Sequence, residues 1–211
     1  GAEVLPVDVG IAADMTGTGI LDRKIAWGTR DFLKEPAMTR KEAVKALEVG
    51  IEAAGILHEK GCDLAGTGEM GIGNTTTSSA VISVLTGLDP EVVTGRGAGL
   101  DHAGLRRKIE VIKEGIRIHR PDPFDGIDVL SKVGGLDLAA LTGFYLGCAY
   151  WRIPVVLDGL ITGAAALAAV KICPAVADYL LASHVSAEPA GQAVLSSLGL
   201  KAAIQAGMCL G

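Results

Sequence analysis

The sequence predicts an α/β protein with a mostly parallel sheet and helices on both of its faces. Short apolar runs rich in β-branched residues alternate with segments of helix length, amphipathic or apolar throughout. Parallel strands require connections that long, and their crossover helices cover the sheet. Composition agrees, since 49% of the 211 residues are apolar and mean hydropathy is positive, enough to bury a sizeable core.

The opening AEVLPVDVGIA suits a buried strand running into a loop. Thr39 and Glu42 have the spacing of a capping box, in which hydroxyl and carboxylate satisfy each other's free backbone donors. The helix they start is expected to run through Lys60 and to end at Gly61. CDLAGTG reads as a second strand, and a helix begins in TTTSSAVISVL. LDHAGLRRKIEVIKEGIRIH is an amphipathic helix closed by the breaker-rich PDPFDG. LDLAALTGFYLGCAYW is an apolar helix, and IPVVLDG is a strand ending in Asp158 and Gly159. GLITGAAALAAVKI and the segment from Pro174 read as helices, SHVSAEPAG as a loop, and GQAVLSSLGLKAAIQAG as a last helix. No repeat of fixed period and no Pro/Ser-rich linker occurs, so residues 1–211 are expected to form one α/β core. The chain opens on an apparent interior strand and stops just after an apolar helix, which suggests a piece of something longer.

Charge and cysteine usage narrow the function. A net charge of −5 without a basic block disfavours nucleic acid as a partner and leaves small molecules as the expected substrates. The four cysteines, Cys62, Cys148, Cys173 and Cys209, form no CxxC pair and sit among apolar neighbours, as buried reduced thiols of a cytoplasmic protein do. No His or Cys spacing suggests a metal site. The most apolar stretch, Ile153 to Ala182, is interrupted by Asp158, Lys171 and Pro174, so no membrane segment is expected.

The richest stretch is GTGEMGIGNTTTSSA, Gly66 to Ala80, which follows the second strand and opens a helix. In parallel sheets, ligands sit beyond the carboxyl ends of strands. Glycines admit a ligand close to the backbone, and free amides around Asn74 to Thr77 would point at an anion such as phosphate. The plain alternative is a tight turn followed by a helix cap. The loop lacks both the lysine of a Walker sequence and the GxGxxG order of a dinucleotide fingerprint. Glu69 is a carboxylate beside that anion-binding loop, unfavourable unless a cationic or N–H-bearing substrate uses it; otherwise it is a surface residue. Arg96 and Lys108 are the nearby cations, though LRRKIE also suits a solvated helix face. His184, Ser186 and Glu188 could be imagined as a triad, but no nucleophile elbow accompanies them.

GTGEMGIGNTTTSSA, TGRGAGLDHAGLRRK, VGGLDLAALTGFYLGCA, IPVVLDGLITGAAALAA and ASHVSAEPAGQ, in this order across nearly the whole chain, resemble the nicotinate-nucleotide:dimethylbenzimidazole phosphoribosyltransferase family. The resemblance implies a Rossmann-like fold, a homodimer and no metal or other cofactor. It further implies transfer of 5-phosphoribose from nicotinate mononucleotide to a benzimidazole-type base, with inversion to the α-riboside phosphate, in building the lower nucleotide of cobalamin. Carried onto this chain, Gly71, Gly73, Asn74, Thr75 and Thr76 would hold the ribose 5-phosphate region and Lys108 would pair with the phosphate. Glu69 would lie beside base and ribose, and Asp158, Gly159, Ser186 and Leu210 would line the cleft. The family's sequence continues past GMCLG into EGTGA, whose glutamate is the general base, and carries an amino-terminal portion that this sequence lacks. The chain therefore reads as the central nucleotide-binding core, expected to bind nucleotide and to turn over poorly alone. A non-catalytic nucleotide-binding module and a dinucleotide-dependent oxidoreductase are the alternatives, the latter disfavoured by the missing fingerprint.

Overall fold

The computed structural model describes residues 2–97 and 99–204. Its centre is a three-stranded parallel sheet in the order β3 (Ala65–Gly66), β4 (Val155–Leu157), β5 (Leu180–Ala182). Ala65 lies opposite Val155, and Leu157 opposite Ala182. A separate parallel pair joins β1 (Val7–Asp8) to β2 (Leu21–Asp22). Between β3 and β4 run α2 (Asn74–Thr86), α3 (Pro90–Val93), α4 (His102–His119), α5 (Gly126–Val133) and α6 (Leu136–Trp151). α1 (Arg40–Glu59) precedes β3, α7 (Leu160–Ile172) joins β4 to β5, and α8 (Gly191–Ser197) follows β5. The α/β class and the parallel pairing are as the sequence predicts.

Local signals are realised where they are chemically complete. Thr39 Oγ1 accepts from the Glu42 amide at 3.2 Å, and Glu42 Oε2 accepts from the Thr39 amide at 2.6 Å, closing the expected capping box. Arg30 adds an ion pair to the same carboxylate. Arg30, then the Thr39 amide, hold the Glu42 carboxyl down at about 2 against a partial opposing effect of burial. The helix ends before Gly61, whose φ of +72° reverses the chain.

Three expectations are corrected. The amino-terminal segment is not an interior strand: residues 2–4 are exposed and only two residues pair. Its order comes from Asp8, 1% exposed, whose carboxylate accepts from the Gly10 and Ile11 amides at 2.9 and 2.8 Å and pairs with Lys24 at 2.6 Å. The segment from Pro174 makes only a 3-10 turn (Pro174–Tyr179) before entering β5, since Leu180 and Ala182 find buried places beside β4 that a helix could not give them. The last helix stops at Ser197; Gly199, at φ +69°, turns the chain so that Ile204 lies parallel to His184 at the end of β5.

The core gathers around α6 and α7. α7 is buried from Ala164 to Ala169, its alanines allowing neighbouring helices to approach closely. α1 crosses α6 so tightly that a Cβ on Gly143 would stand 1.9 Å from the Leu47 carbonyl oxygen. Tyr145, fully buried, bonds through its hydroxyl to Thr67 Oγ1 (2.9 Å) and the Thr162 carbonyl (3.2 Å), tying the end of β3 to α6 and α7.

Gly143→Ala should lower unfolding stability by about 3 kcal/mol, because the added methyl would be driven into the backbone of α1; urea denaturation measures it. Glu42→Gln should cost about 1 kcal/mol at neutral pH. That loss should vanish as pH falls from about 4.5 to about 2, because a carboxylate with a depressed pKa gives up its stabilising charge over that window.

Candidate active site

Because β3, β4 and β5 are parallel, the loops leaving them, residues 67–73, 158–159 and 183–190, all lie beyond the carboxyl ends of the strands. Gly73, in the left-handed conformation at φ +81°, caps α2 without a side chain. The Asn74 and Thr76 amides close turns onto Gly71 and Gly73 at 3.1 and 3.0 Å, while the Thr75 amide makes no hydrogen bond among the described residues. The start of α2 thus offers a free donor and the positive end of a helix.

Lys108 stands beside it. On the amphipathic α4 it is only 7% exposed, which removes the reading of a solvated lysine. Its Nζ donates to Thr75 Oγ1 at 2.9 Å and to the Gly95 carbonyl at 3.0 Å. An ammonium has three donors, so one remains for a ligand. Burial pulls the Lys108 pKa down, opposed by the charge of Glu188. Arg96, the other candidate cation, is engaged with the His102 ring, its guanidinium nitrogen 3.1 Å from Nε2.

The opposite end of the same loop is acidic. Asn74, 9% exposed, donates through Nδ2 to Glu69 and, at 2.9 Å, to Asp137 Oδ2. The Asn74 side chain thus serves two of the protein's own carboxylates. Burial pushes the Glu69 carboxyl up; the Asn74 bond lowers it, and the charges of Asp137 and Asp158 raise it further. Asp137 was invisible in the sequence, where an acid in the first turn of a helix reads as ordinary dipole compensation. A Cβ on Gly71 would meet Asn74 Nδ2 and Asp137 Oδ2, each at 2.7 Å, so the glycine lets the loop lie against them.

Asp158, Gly159, His184 and Ser186 line one cleft at the ends of β4 and β5. The imagined triad does not form. His184 Nδ1 meets Ser183 Oγ at 2.9 Å, whereas Ser186 Oγ accepts only from the Glu188 amide at 3.3 Å, and Glu188 lies over Gly95. Thr76 follows the turn, with its amide spent on Gly73. Leu210 lies outside the described residues. Among the described residues no group of three His, Cys, Asp or Glu side chains is arranged to hold a metal ion, and no helix is long and apolar enough to cross a membrane.

A parallel α/β core thus carries a buried cation and a carboxylate cluster on either side of one glycine-rich loop, an arrangement with the chemistry to meet an anion at one end and a cationic or N–H group at the other. Comparison with known proteins makes the class specific. A phosphoribosyltransferase family model matches residues 1–211, and the chain belongs to that family. It is 53% identical over 210 residues to the nicotinate-nucleotide--dimethylbenzimidazole phosphoribosyltransferase of Ruminiclostridium cellulolyticum, covering 100% of this chain and 60% of that protein. The protein of the same name from Clostridium acetobutylicum is 50% identical over 211 residues, with the same coverage. The crystal structure of CobT from Thermus thermophilus is similar with a TM-score of 0.91 and 40% identity, over 97% of this chain and 62% of that one. The chain thus spans about 60% of the length of the curated relatives it matches.

Asp137→Asn should move the titration of Glu69 down toward the ordinary carboxylate range, because it removes a like charge while keeping an acceptor for Asn74. Carboxyl-carbon NMR of the labelled protein measures this, and an unmoved Glu69 would show the two groups to be uncoupled.

Proposed function

We propose that the protein transfers 5-phosphoribose from nicotinate mononucleotide to a ring nitrogen of 5,6-dimethylbenzimidazole or a related base, in assembly of the cobalamin lower nucleotide. The observation that carries this reading is the division of charge about the GEMGIGN loop, with Lys108 and the Thr75 amide on one side and Glu69, Asp137 and Asp158 on the other. The names of the relatives support it.

In this reading the phosphate takes the third donor of Lys108 and the free Thr75 amide, a charge-assisted contact at a helix start. The bond from the ribose anomeric carbon to the pyridinium nitrogen breaks with its electron pair returning to that nitrogen, so nicotinate leaves without its ring charge. Positive charge gathers on the ribose in the transition state, where Glu69 with Asp137 and Asp158 offers negative potential. The lone pair of the attacking base closes the new bond, inverting the anomeric carbon, and the base then gives its N–H proton to water. Glu69 is the ribose-side carboxylate, with Asp158, Gly159 and Ser186 bordering the cleft. The same reading makes the working protein a cytoplasmic homodimer.

Calorimetry of this chain with nicotinate mononucleotide, paired with a turnover assay on the protein extended at both ends, tests the proposal. Lys108→Ala should weaken binding by roughly 10- to 100-fold, and more at low salt, since a charge-assisted contact to phosphate is lost. Glu69→Gln should change affinity by less than about threefold and lower turnover by at least about tenfold. Unchanged affinity in the lysine variant at low salt would refute the phosphate assignment, and unchanged turnover in the glutamine variant would reduce Glu69 to a structural role.

A further inference from the structure

Glu188 has no part in the transfer as derived above, yet its placement is unusual. Its Oε2 is buried and has no hydrogen-bond partner among the described residues. It rests on Gly95 so closely that a Cβ there would stand 1.6 Å from that oxygen and 2.8 Å from Pro189 Cδ. The carbonyl of the same Gly95 accepts from Lys108 Nζ. Carboxylate and ammonium thus share one residue of the 94–97 loop. They form no direct ion pair among the described residues, since the observed bonds of the ammonium go to Thr75 and Gly95. A carboxylate oxygen buried without a donor is costly unless an opposite charge stands near.

The surroundings leave Lys108 as that charge. α2 carries no titratable side chain. On the connection to α4, Asp89 and Glu91 face Lys113, Arg96 is held by His102, and Asp101 caps the Gly104 amide. The neighbours of Lys108 on α4, Arg106, Arg107 and Glu110, are exposed. From the loop after β5, His184 is turned to Ser183, and Glu188 is the charge acting on Lys108.

We propose that Glu188 is a positioning residue for Lys108: a half-buried counter-charge, its Oε2 enclosed, that keeps the ammonium charged between Thr75 and Gly95 and fastens the loop bearing Ser186 to the loop bearing Gly95. This rests on the phosphate reading of Lys108 and deepens it. Glu188 leaves the third donor of Lys108 unclaimed, so an arriving phosphate displaces nothing. Fastening the two loops also joins the phosphate side of the site to the cleft bordered by Asp158 and Gly159.

The test follows the titration of Lys108 by NMR of lysine labelled at Cε, assigned with Lys108→Arg, alongside calorimetry with inorganic phosphate and with nicotinate mononucleotide. In Glu188→Gln, Lys108 should titrate at lower pH than in the parent protein. Affinity for both probes should be unchanged or tighter near pH 6, and should fall roughly tenfold against the parent near pH 9, as charge-assisted bonds from the ammonium are lost. Gly95→Ala, which evicts the carboxylate, should reproduce the shift. Should Glu188→Gln not fold, Glu188→Asp, which withdraws the carboxylate by one methylene, should show a smaller shift in the same direction. An unmoved Lys108 titration with an equal loss of affinity at every pH would overturn the proposal. If the parent protein bound neither probe, the functional reading would fail, while the titration of Lys108 would still decide whether Glu188 acts on it.

Discussion

The two hydrogen bonds of the Lys108 ammonium, to Thr75 Oγ1 and to the Gly95 carbonyl, hold together the start of α2, the 94–97 loop and α4. A buried cation is tolerable only where acceptors and opposite charge surround it, so its presence constrains what its neighbours can be. Thr75 must present a hydroxyl, and Gly95 must have no side chain because the carboxylate of Glu188 occupies that space. Gly95 and Gly97 are in this light less parts of a ligand loop than the clearance through which Thr75, Lys108 and Glu188 approach one another.

The acidic side depends on a different device. Asn74 has two N–H donors on one nitrogen and directs them to Glu69 and Asp137, keeping two carboxylates close that would otherwise repel. Asn74 and Thr75 are adjacent, so opposite charges are held apart by one step along the first turn of a helix. Behind them the Tyr145 hydroxyl bonds Thr67 at the root of the loop, so that the loop leaves β3 from a fixed point in the core. Rigid support of this kind is what positioning chemistry requires.

Local chemistry was legible where it closed on itself. The capping box at Thr39 and Glu42 needs only four consecutive residues, and the strand of IPVVLDG only its own apolar run. The helix expected from Pro174 and the long final helix failed because partner segments outcompeted propensity: β4 recruits Leu180 to Ala182, and β5 draws the chain to Ile204. Asp137 was missed as a partner of Glu69 for the same reason, since it resembles an ordinary surface acid until distant segments are brought against it.

By itself the amino-acid sequence determined the α/β class, the alternation of strands and helices, the glycine loop opening α2, and the candidacy of Glu69 and Lys108. These are properties of periodicity, turn chemistry and short motifs, all encoded within a few turns of chain. Only the tertiary structure decided that Lys108 is buried, that Asn74 serves carboxylates, that Asp137 joins Glu69, and that Glu188 rests on Gly95. Charge and burial act through space, so the state of an ionisable group depends on neighbours tens of residues away, which no local pattern records.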